Sequence, residues 1–277
     1  MRIVVSGATG FVGSHTIQAL AANGHEVLSL AKHAAEAPPV AIAADLAGED
    51  TAWQSSVRAF APEAAIHLAW EGIPDYGPEM SARNERASIA FFGFLESIGI
   101  QRIVGVGSSW ENMHANAFTA AKDAVRHFGE SLDQKGSLAF AWARIFFAYG
   151  PRQRSNALIP SMVRSIQKGE SVQLTKPQAQ NDFIYIEDVA HALALLATTT
   201  APSGIYEIGS GVATSVQEIA RLVHEQFGMK FELVGGSPEA EGAHIADIQR
   251  MKSIEWLPWV PLQEGVKKTI EWLKKTS

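Results

Sequence analysis

The chain has 277 residues, 47% of them hydrophobic, enough for one large core or a core with a smaller lobe. A formal net charge of −6 offers nucleic acid or anionic lipid no general basic field, so an anionic ligand needs a local site. The absence of cysteine excludes disulfides, thiolate metal sites and cysteine nucleophiles. With no apolar run of membrane-spanning length and no signal-peptide pattern, a soluble cytoplasmic protein is expected.

In chain order, Arg2 to Ser6 reads as a strand and Val12 to Asn23 as a helix. Glu26 to Leu30 and Val40 to Ala43 read as strands, and Trp53 to Phe60 as a helix. Ala65 to Leu68 follows as a strand, Glu79 to Ile98 as a long helix and Arg102 to Val106 as a strand. Phe118 to Lys135 is helical in pattern, and Leu138 to Ile145 is strand-like. Strands alternating with helices predict right-handed crossovers and a parallel sheet covered on both faces. After Gly150-Pro151 the elements shorten. Helical patterns run from Leu158 to Lys168, Ile186 to Ala197, Ser215 to Phe227 and Leu262 to Lys275. Strand-like pieces lie at Val172 to Leu174, Ile205 to Ile208 and Phe231 to Val234. The expected architecture is a Rossmann-type α/β fold, a doubly wound parallel sheet over 1–150. A smaller mixed α/β substrate lobe, partly interleaved with it, is expected over 151–277.

Gly7-Ala8-Thr9-Gly10-Phe11-Val12-Gly13 sits between the first strand and the first helix as G-x-x-G-x-x-G. A backbone without side chains can turn sharply and approach a pyrophosphate closely, while the helix start supplies free N–H groups and a positive dipole end. Gly13 lets helix and strand pack closely. The strand–turn–helix context makes this a dinucleotide-binding loop.

The loop and the segments after it resemble the extended short-chain dehydrogenase/reductases, the epimerase/dehydratase family acting on nucleotide sugars. Asp45-Leu46 stands where the family places an acid near the adenine. His67-Leu68-Ala69-Trp70 matches a segment whose backbone lies beside the cofactor, and Asn84 the helix asparagine that supports the active site. Ser108-Ser109 ends the strand carrying the catalytic Ser or Thr. Arg144 through Tyr149-Gly150-Pro151, Asp182 through Val189 and Ile205 through Gly211 resemble the family's remaining signatures. A sugar-nucleotide substrate is implied. The segments His67 to Gly72 and Gly107 to Glu111 are similar to a subgroup rich in 4-ketoreductases.

A site preferring NAD ends its second strand with an acid for the ribose hydroxyls. Here Ala31-Lys32-His33 follows that strand, and a cation there attracts a 2′-phosphate, so NADP(H) is favoured over NAD(H). Lys32 also reads as an ordinary solvated lysine.

The resemblance implies a catalytic tyrosine four residues before a lysine, on one helix face. In Phe118-Thr119-Ala120-Ala121-Lys122 the lysine is present and the tyrosine is phenylalanine. Ser109, the counterpart of the catalytic serine, precedes Phe118 by only nine positions, a shorter loop than the family's. Three explanations stay open: an engineered replacement, a substitute acid among Glu111, His114 and Tyr149, or lost chemistry with retained nucleotide binding.

The expected catalytic set is Ser109, Phe118 and Lys122. Gly7, Thr9, Gly10, Phe11, Val12, Gly13, Lys32, His33, Asp45, Leu46, Leu68, Ala69, Trp70, Asn84 and Lys122 are expected at the cofactor. Ser109, Trp110, Glu111, Tyr149 and Arg152 are expected at the substrate. Arg144 reads equally as a neighbour of the active site, as the resemblance implies, and as half of a structural ion pair; Asp182 and Asp188 read as structural, His67 as a core histidine, and the nine histidines show no metal-ligand spacing. The expected protein is a nucleotide-sugar oxidoreductase or epimerase working at hexose C4, a homodimer without nucleic-acid or membrane partners. The alternative is a non-catalytic NADP(H)-binding sensor, which Phe118 favours.

Overall fold

The computed structural model describes residues 1–33, 41–112, 116–233, 236 and 242–276. Its elements are β1 (Arg2–Ser6), α1 (Phe11–Ala22), β2 (Glu26–Ala31), β3 (Ala41–Ala43), α2 (Ala52–Phe60) and β4 (Ala64–His67). They continue with α3 (Pro78–Ser97), β5 (Arg102–Ser108), a 3-10 turn (Ser109–Asn112), α4 (Ala117–Gln134) and β6 (Ala139–Ile145). Next come β7 (Phe147–Tyr149), α5 (Leu158–Gln167), β8 (Gln180–Tyr185), α6 (Ile186–Thr198) and β9 (Gly204–Ile208). The chain ends with β10 (Ala213–Ser215), α7 (Val216–Glu225), α8 (Gln249–Lys252) and α9 (Leu262–Thr276).

Seven strands form one sheet in the order β3-β2-β1-β4-β5-β6-β9, and the ladders from β3 to β6 are parallel. Ile3, Val4 and Val5 on β1 and Ala64 to Ile66 on β4 are fully buried. Continuous apolar runs of this kind belong to strands covered on both faces. The chain order reverses at β1, which has β2 on one side and β4 on the other. Ligands of open α/β sheets bind at such a switch point, outside the carboxyl ends of the strands.

Two compact units divide the chain. The first comprises Met1–Ile145 and Ala190–Glu207, so the Tyr149-Gly150-Pro151 turn lies in the second, Phe146–Val189 with Ile208–Ser277. The return segment is tied into the first unit by named contacts. Arg102 donates to the Ala201 carbonyl at 2.8 Å, and the Phe140 N–H donates to Ser203 Oγ at 3.1 Å. In the second unit β8 pairs antiparallel with β10 and parallel with β7. The buried Asp182 carboxylate accepts from the backbone N–H groups of Ser210, Gly211 and Ala246 and from the Ser210 hydroxyl. Asp188 accepts from the Trp259 and Val260 N–H groups. Both acids hold loops.

Residues 172–174 and 231–233, expected as strand pieces, form no strand. Val40, His114 and Val234 lie outside the described residues.

Candidate active site

A cleft of about 210 Å³ opens at the carboxyl ends of β1 and β4. Ser6, Gly7, Thr9 and Gly10 line one side, and Leu68, Ala69 and Trp70 line the other. The three glycines divide the work. Gly7 has φ +69°, and a Cβ there would meet Leu68 and Ala69 backbone atoms at 2.7 Å. A Cβ on Gly13 would lie 2.1 Å from the Gly7 carbonyl oxygen. These two are required by the close packing of turn, strand and helix. Gly10, the N-cap of α1, has φ −69°, and its nearest obstacle is the Gly7 oxygen at 3.2 Å. It faces the cleft, so its missing side chain leaves room for a ligand. Beyond it, the N–H groups of Phe11, Val12 and Gly13 precede the first i→i−4 bond of α1, which has no side-chain cap and no acid in its first turn. That is an anion site.

At the far end of the cleft, past β2, four charges meet. Lys32 Nζ lies 3.1 Å from Glu71 Oε1 and 3.6 Å from Asp45 Oδ2. Arg83 on α3 reaches Glu71 at 3.4 Å and Asp45 at 3.8 Å. The hydrogen bond that Lys32 donates to Glu71, with both carboxylate charges, raises the Lys32 pKa. Asp45 also accepts from the Ala47 N–H at 3.1 Å, and Leu46 lines the cleft. His33 is exposed beside Lys32.

Behind the cleft lies a closed polar core. His67 Nδ1 is 2.7 Å from Ser6 Oγ, and Nε2 is 2.9 Å from Ser88 Oγ. Ser88 donates its own proton to the Asn84 carbonyl at 2.8 Å, so the histidine must donate through Nε2 and accept at Nδ1. Burial, with Lys122 nearby, pushes its pKa down to about 3 and keeps it neutral. His67 therefore braces the floor. Asn84 accepts from the Glu71 N–H at 2.6 Å and donates to the Glu71 and Met80 carbonyls at 3.1 and 2.9 Å. Its amide is used up in pinning the loop that carries Trp70. It lines the cleft as a support.

Helix α4 begins with a capping box: Asn116 accepts from the Thr119 N–H, and Thr119 Oγ1 accepts from the Asn116 N–H. Such a cap is worth about 1 kcal/mol and fixes where the helix starts, hence the faces of Phe118 and Lys122. Lys122 is 9% exposed, donates to the Val106 carbonyl at 2.7 Å, and places Nζ 3.9 Å from the centre of the Trp70 ring. Burial pushes its ammonium down to about 8, against a smaller opposing pull from Glu111. Phe118 is 7% exposed beneath two rings, Trp70 at 5.5 Å and Tyr76 at 5.0 Å. Tyr76 in turn meets Trp110 at 6.2 Å.

Several expected site residues fall elsewhere. Glu111 is not free to bind substrate or to donate a proton. Its Oε1 accepts from the Ser108 N–H at 2.7 Å, and Oε2 accepts from Trp142 Nε1 and Arg144 Nε, both at 3.0 Å. This buried carboxylate is the counter-ion of Arg144. Tyr149 is 2% exposed in the second unit, and its hydroxyl donates to the Leu262 carbonyl. Burial, with Asp188 nearby, raises its pKa, so it is a core residue and not a substitute acid. Arg152 is exposed on the turn that follows, with φ +67°. Ser109 is buried at the start of the 3-10 turn, and Trp110 beside it is 39% exposed. Arg83 and Tyr76, which the sequence did not single out, are brought to the site by α3 and the turn before it.

The residues present suit a nicotinamide dinucleotide. The glycine cradle and helix start fit its pyrophosphate, and the buried Trp70 Nε1–H has no partner among the described residues. Residues 3–209 match the model of the NAD dependent epimerase/dehydratase family. The dTDP-D-glucose 4,6-dehydratase of Mus musculus is 26% identical over 170 residues, covering 58% of this chain and 48% of the mouse enzyme. The chain thus spans about half of that relative's length. The dTDP-4-dehydro-6-deoxy-D-allose reductase of Streptomyces bikiniensis is 26% identical over 321 residues, covering 98% of this chain and 96% of the other. Among solved structures, the Thermus thermophilus UDP-glucose 4-epimerase in complex with NAD superposes with a TM-score of 0.83 at 23% identity, covering 100% of each chain. Cleft, switch point and family match converge: the chain belongs to the NAD-dependent epimerase/dehydratase family, within the extended short-chain dehydrogenase/reductases, and is an enzyme.

Proposed function

We propose that this enzyme is a nucleotide-sugar oxidoreductase working at hexose C4, a 4-ketoreductase ahead of an epimerase, and that it prefers NADP(H) to NAD(H). The observation that carries the reading is the buried Lys122 ammonium against Trp70, a ring that lines the glycine-built cleft. When bound, the nicotinamide gives or takes a hydride. The N–H groups of Phe11 to Gly13, with Thr9 and Gly10, hold the pyrophosphate. Leu68 and Ala69 flank the dinucleotide. Lys122 holds the nicotinamide ribose and supplies positive charge, and Ser109 holds the substrate oxygen. The reductase of Streptomyces bikiniensis, similar over nearly the whole chain, supports a keto sugar as substrate.

The preference for NADP(H) rests on the end of β2. It finishes at Ala31 without a carboxylate, and Lys32 and Arg83 stand beyond it. Both cations are shared with Asp45 and Glu71, so a 2′-phosphate has to compete with two carboxylates for them.

The test is steady-state oxidation of NADPH and NADH with a panel of UDP-, dTDP- and CDP-linked 4-keto-6-deoxyhexoses. Turnover with NADPH ahead of NADH is expected. Lys32→Ala should shift the NADPH to NADH ratio of kcat/KM about tenfold, because a charge-assisted contact is worth roughly 1.5–3 kcal/mol. An equal loss for both cofactors would remove the phosphate reading. A second reading is favoured by Phe118, which has no proton to transfer: a protein that binds cofactor and turns over nothing. Tight calorimetric binding of NADPH with no turnover across the panel would establish it.

A further inference from the structure

A reductase at a sugar carbon needs a proton donor, and Phe118 cannot be one. The chain contains four tyrosines. Tyr149, Tyr185 and Tyr206 are 2%, 2% and 0% exposed. The Tyr149 and Tyr206 hydroxyls donate to the backbone carbonyls of Leu262 and Pro202. Tyr76 alone is half-buried, and its ring lies 5.0 Å from that of Phe118. Among the described residues, two other groups nearby are committed. Glu111 has both oxygens bonded, and Thr119 Oγ1 is held in the capping box, where it donates to the Asn116 carbonyl.

The segment carrying Tyr76 is fixed at both ends. Asn84 grips Glu71 through two hydrogen bonds. The Asp75 side chain accepts from the Gly77 N–H at 2.8 Å, one residue before α3 begins. Between these anchors the Asp75 N–H donates to the Gly72 carbonyl at 2.6 Å, so Tyr76 is presented from a braced turn.

We propose that Tyr76 is the catalytic acid and base, its phenol serving the reaction that Phe118 cannot. The proposal rests on the oxidoreductase reading. In the reducing direction a bound nicotinamide would supply the hydride to the carbonyl carbon, leaving the former π pair on the substrate oxygen. The Tyr76 O–H bond then breaks to give that oxygen its proton, and the phenolate regains a proton from water. In the oxidising direction the phenolate takes the alcohol proton.

Tyr76→Phe removes one oxygen atom and leaves the ring stack intact. It should lower kcat about 10²–10⁴-fold, leave the calorimetric NADPH affinity within a few-fold, and abolish one limb of the pH–rate profile. Adding Phe118→Tyr should return part of that loss by supplying a hydroxyl one turn before Lys122. A readout independent of turnover is nitration by tetranitromethane, mapped by mass spectrometry. Tyr76 should be the tyrosine modified first, and NADPH with UDP-glucose or dTDP-glucose should protect it. Near-wild-type kcat in Tyr76→Phe overturns the proposal, as does loss of cofactor affinity in step with activity, or nitration that neither nucleotide sugar slows. A wild-type protein with no turnover over the whole panel overturns the oxidoreductase reading itself, and this role with it.

Discussion

At Lys122 an ammonium is held where water hardly reaches, with one carbonyl and one indole face as partners. Its pKa of about 8 lies below the ordinary lysine value, so burial costs the protonated form more than those partners return. Between about pH 8 and 10.5 the unfolded lysine keeps a proton that the folded one has lost. Unfolding then takes up a proton, and stability rises with pH through that window. Lys122→Met should remove this rise and stabilise the protein at pH 7 by roughly 3 kcal/mol, the scale of such a shift. Denaturation in urea at pH 7 and pH 10, wild type against variant, measures it; parallel pH dependences would contradict it. Lys122 and the glycines were legible because their chemistry is local, a spacing on one helix or one turn. Glu111 and Tyr149 were not. Their partners, Trp142 and Arg144 for one and Leu262 for the other, come from distant segments, and only those contacts turn a polar residue into part of the core.

Helix α1 begins where the ligand must bind, and its entry is built from positions with unlike tolerances. Gly7 and Gly13 leave no space for a Cβ, whereas Gly10 adopts an ordinary extended conformation and only the Gly7 oxygen approaches it. Gly10→Val should therefore fold, with a melting temperature within a few degrees of wild type, and lose cofactor affinity by at least 10²-fold because its branches fill the cleft. Calorimetric titration with NADPH would decide; undiminished binding in a folded variant would displace the site. The strands of the large sheet could be read because each is an apolar run between turn residues, and burial on both faces demands that composition. In the second unit local composition misleads. Residues 172–174 are apolar enough for a strand yet form none, with a bridge at Gln173 alone, while β8 opens with Gln180, Asn181 and Asp182 and becomes a strand through its pairing with β10 and β7. Short strands are made by neighbours more than by propensity.

The first unit as a whole is not a continuous stretch of chain. Residues 190–207 return to it with β9 and most of α6, and Leu193, Leu196 and Tyr206 are fully buried. Burying three such side chains contributes roughly 5–9 kcal/mol at 1.5–3 each, comparable with the whole stability of a typical domain. A fragment of residues 1–145 should then lack a cooperative thermal transition and bind no dinucleotide, although it carries every glycine of the loop. Circular dichroism melting with and without NADPH tests this; a sharp transition raised by cofactor would show that the return segment is dispensable. Alternation of strands and helices announced the sheet, but not that its last strand arrives from beyond the second unit's first stretch, because strand order is decided by where chain segments dock.

Trp70 has a consequence for spectroscopy. Its indole face lies against a cation whose pKa burial pushes down to about 8, its ring stands nearly perpendicular to that of Phe118, and its N–H is buried without a partner among the described residues. A chromophore under such a local field changes colour and brightness when the charge leaves or when a new acceptor meets the N–H. The protein therefore carries its own optical reporter at the floor of the cleft, one that registers arrival of a ligand and departure of a proton without any attached dye.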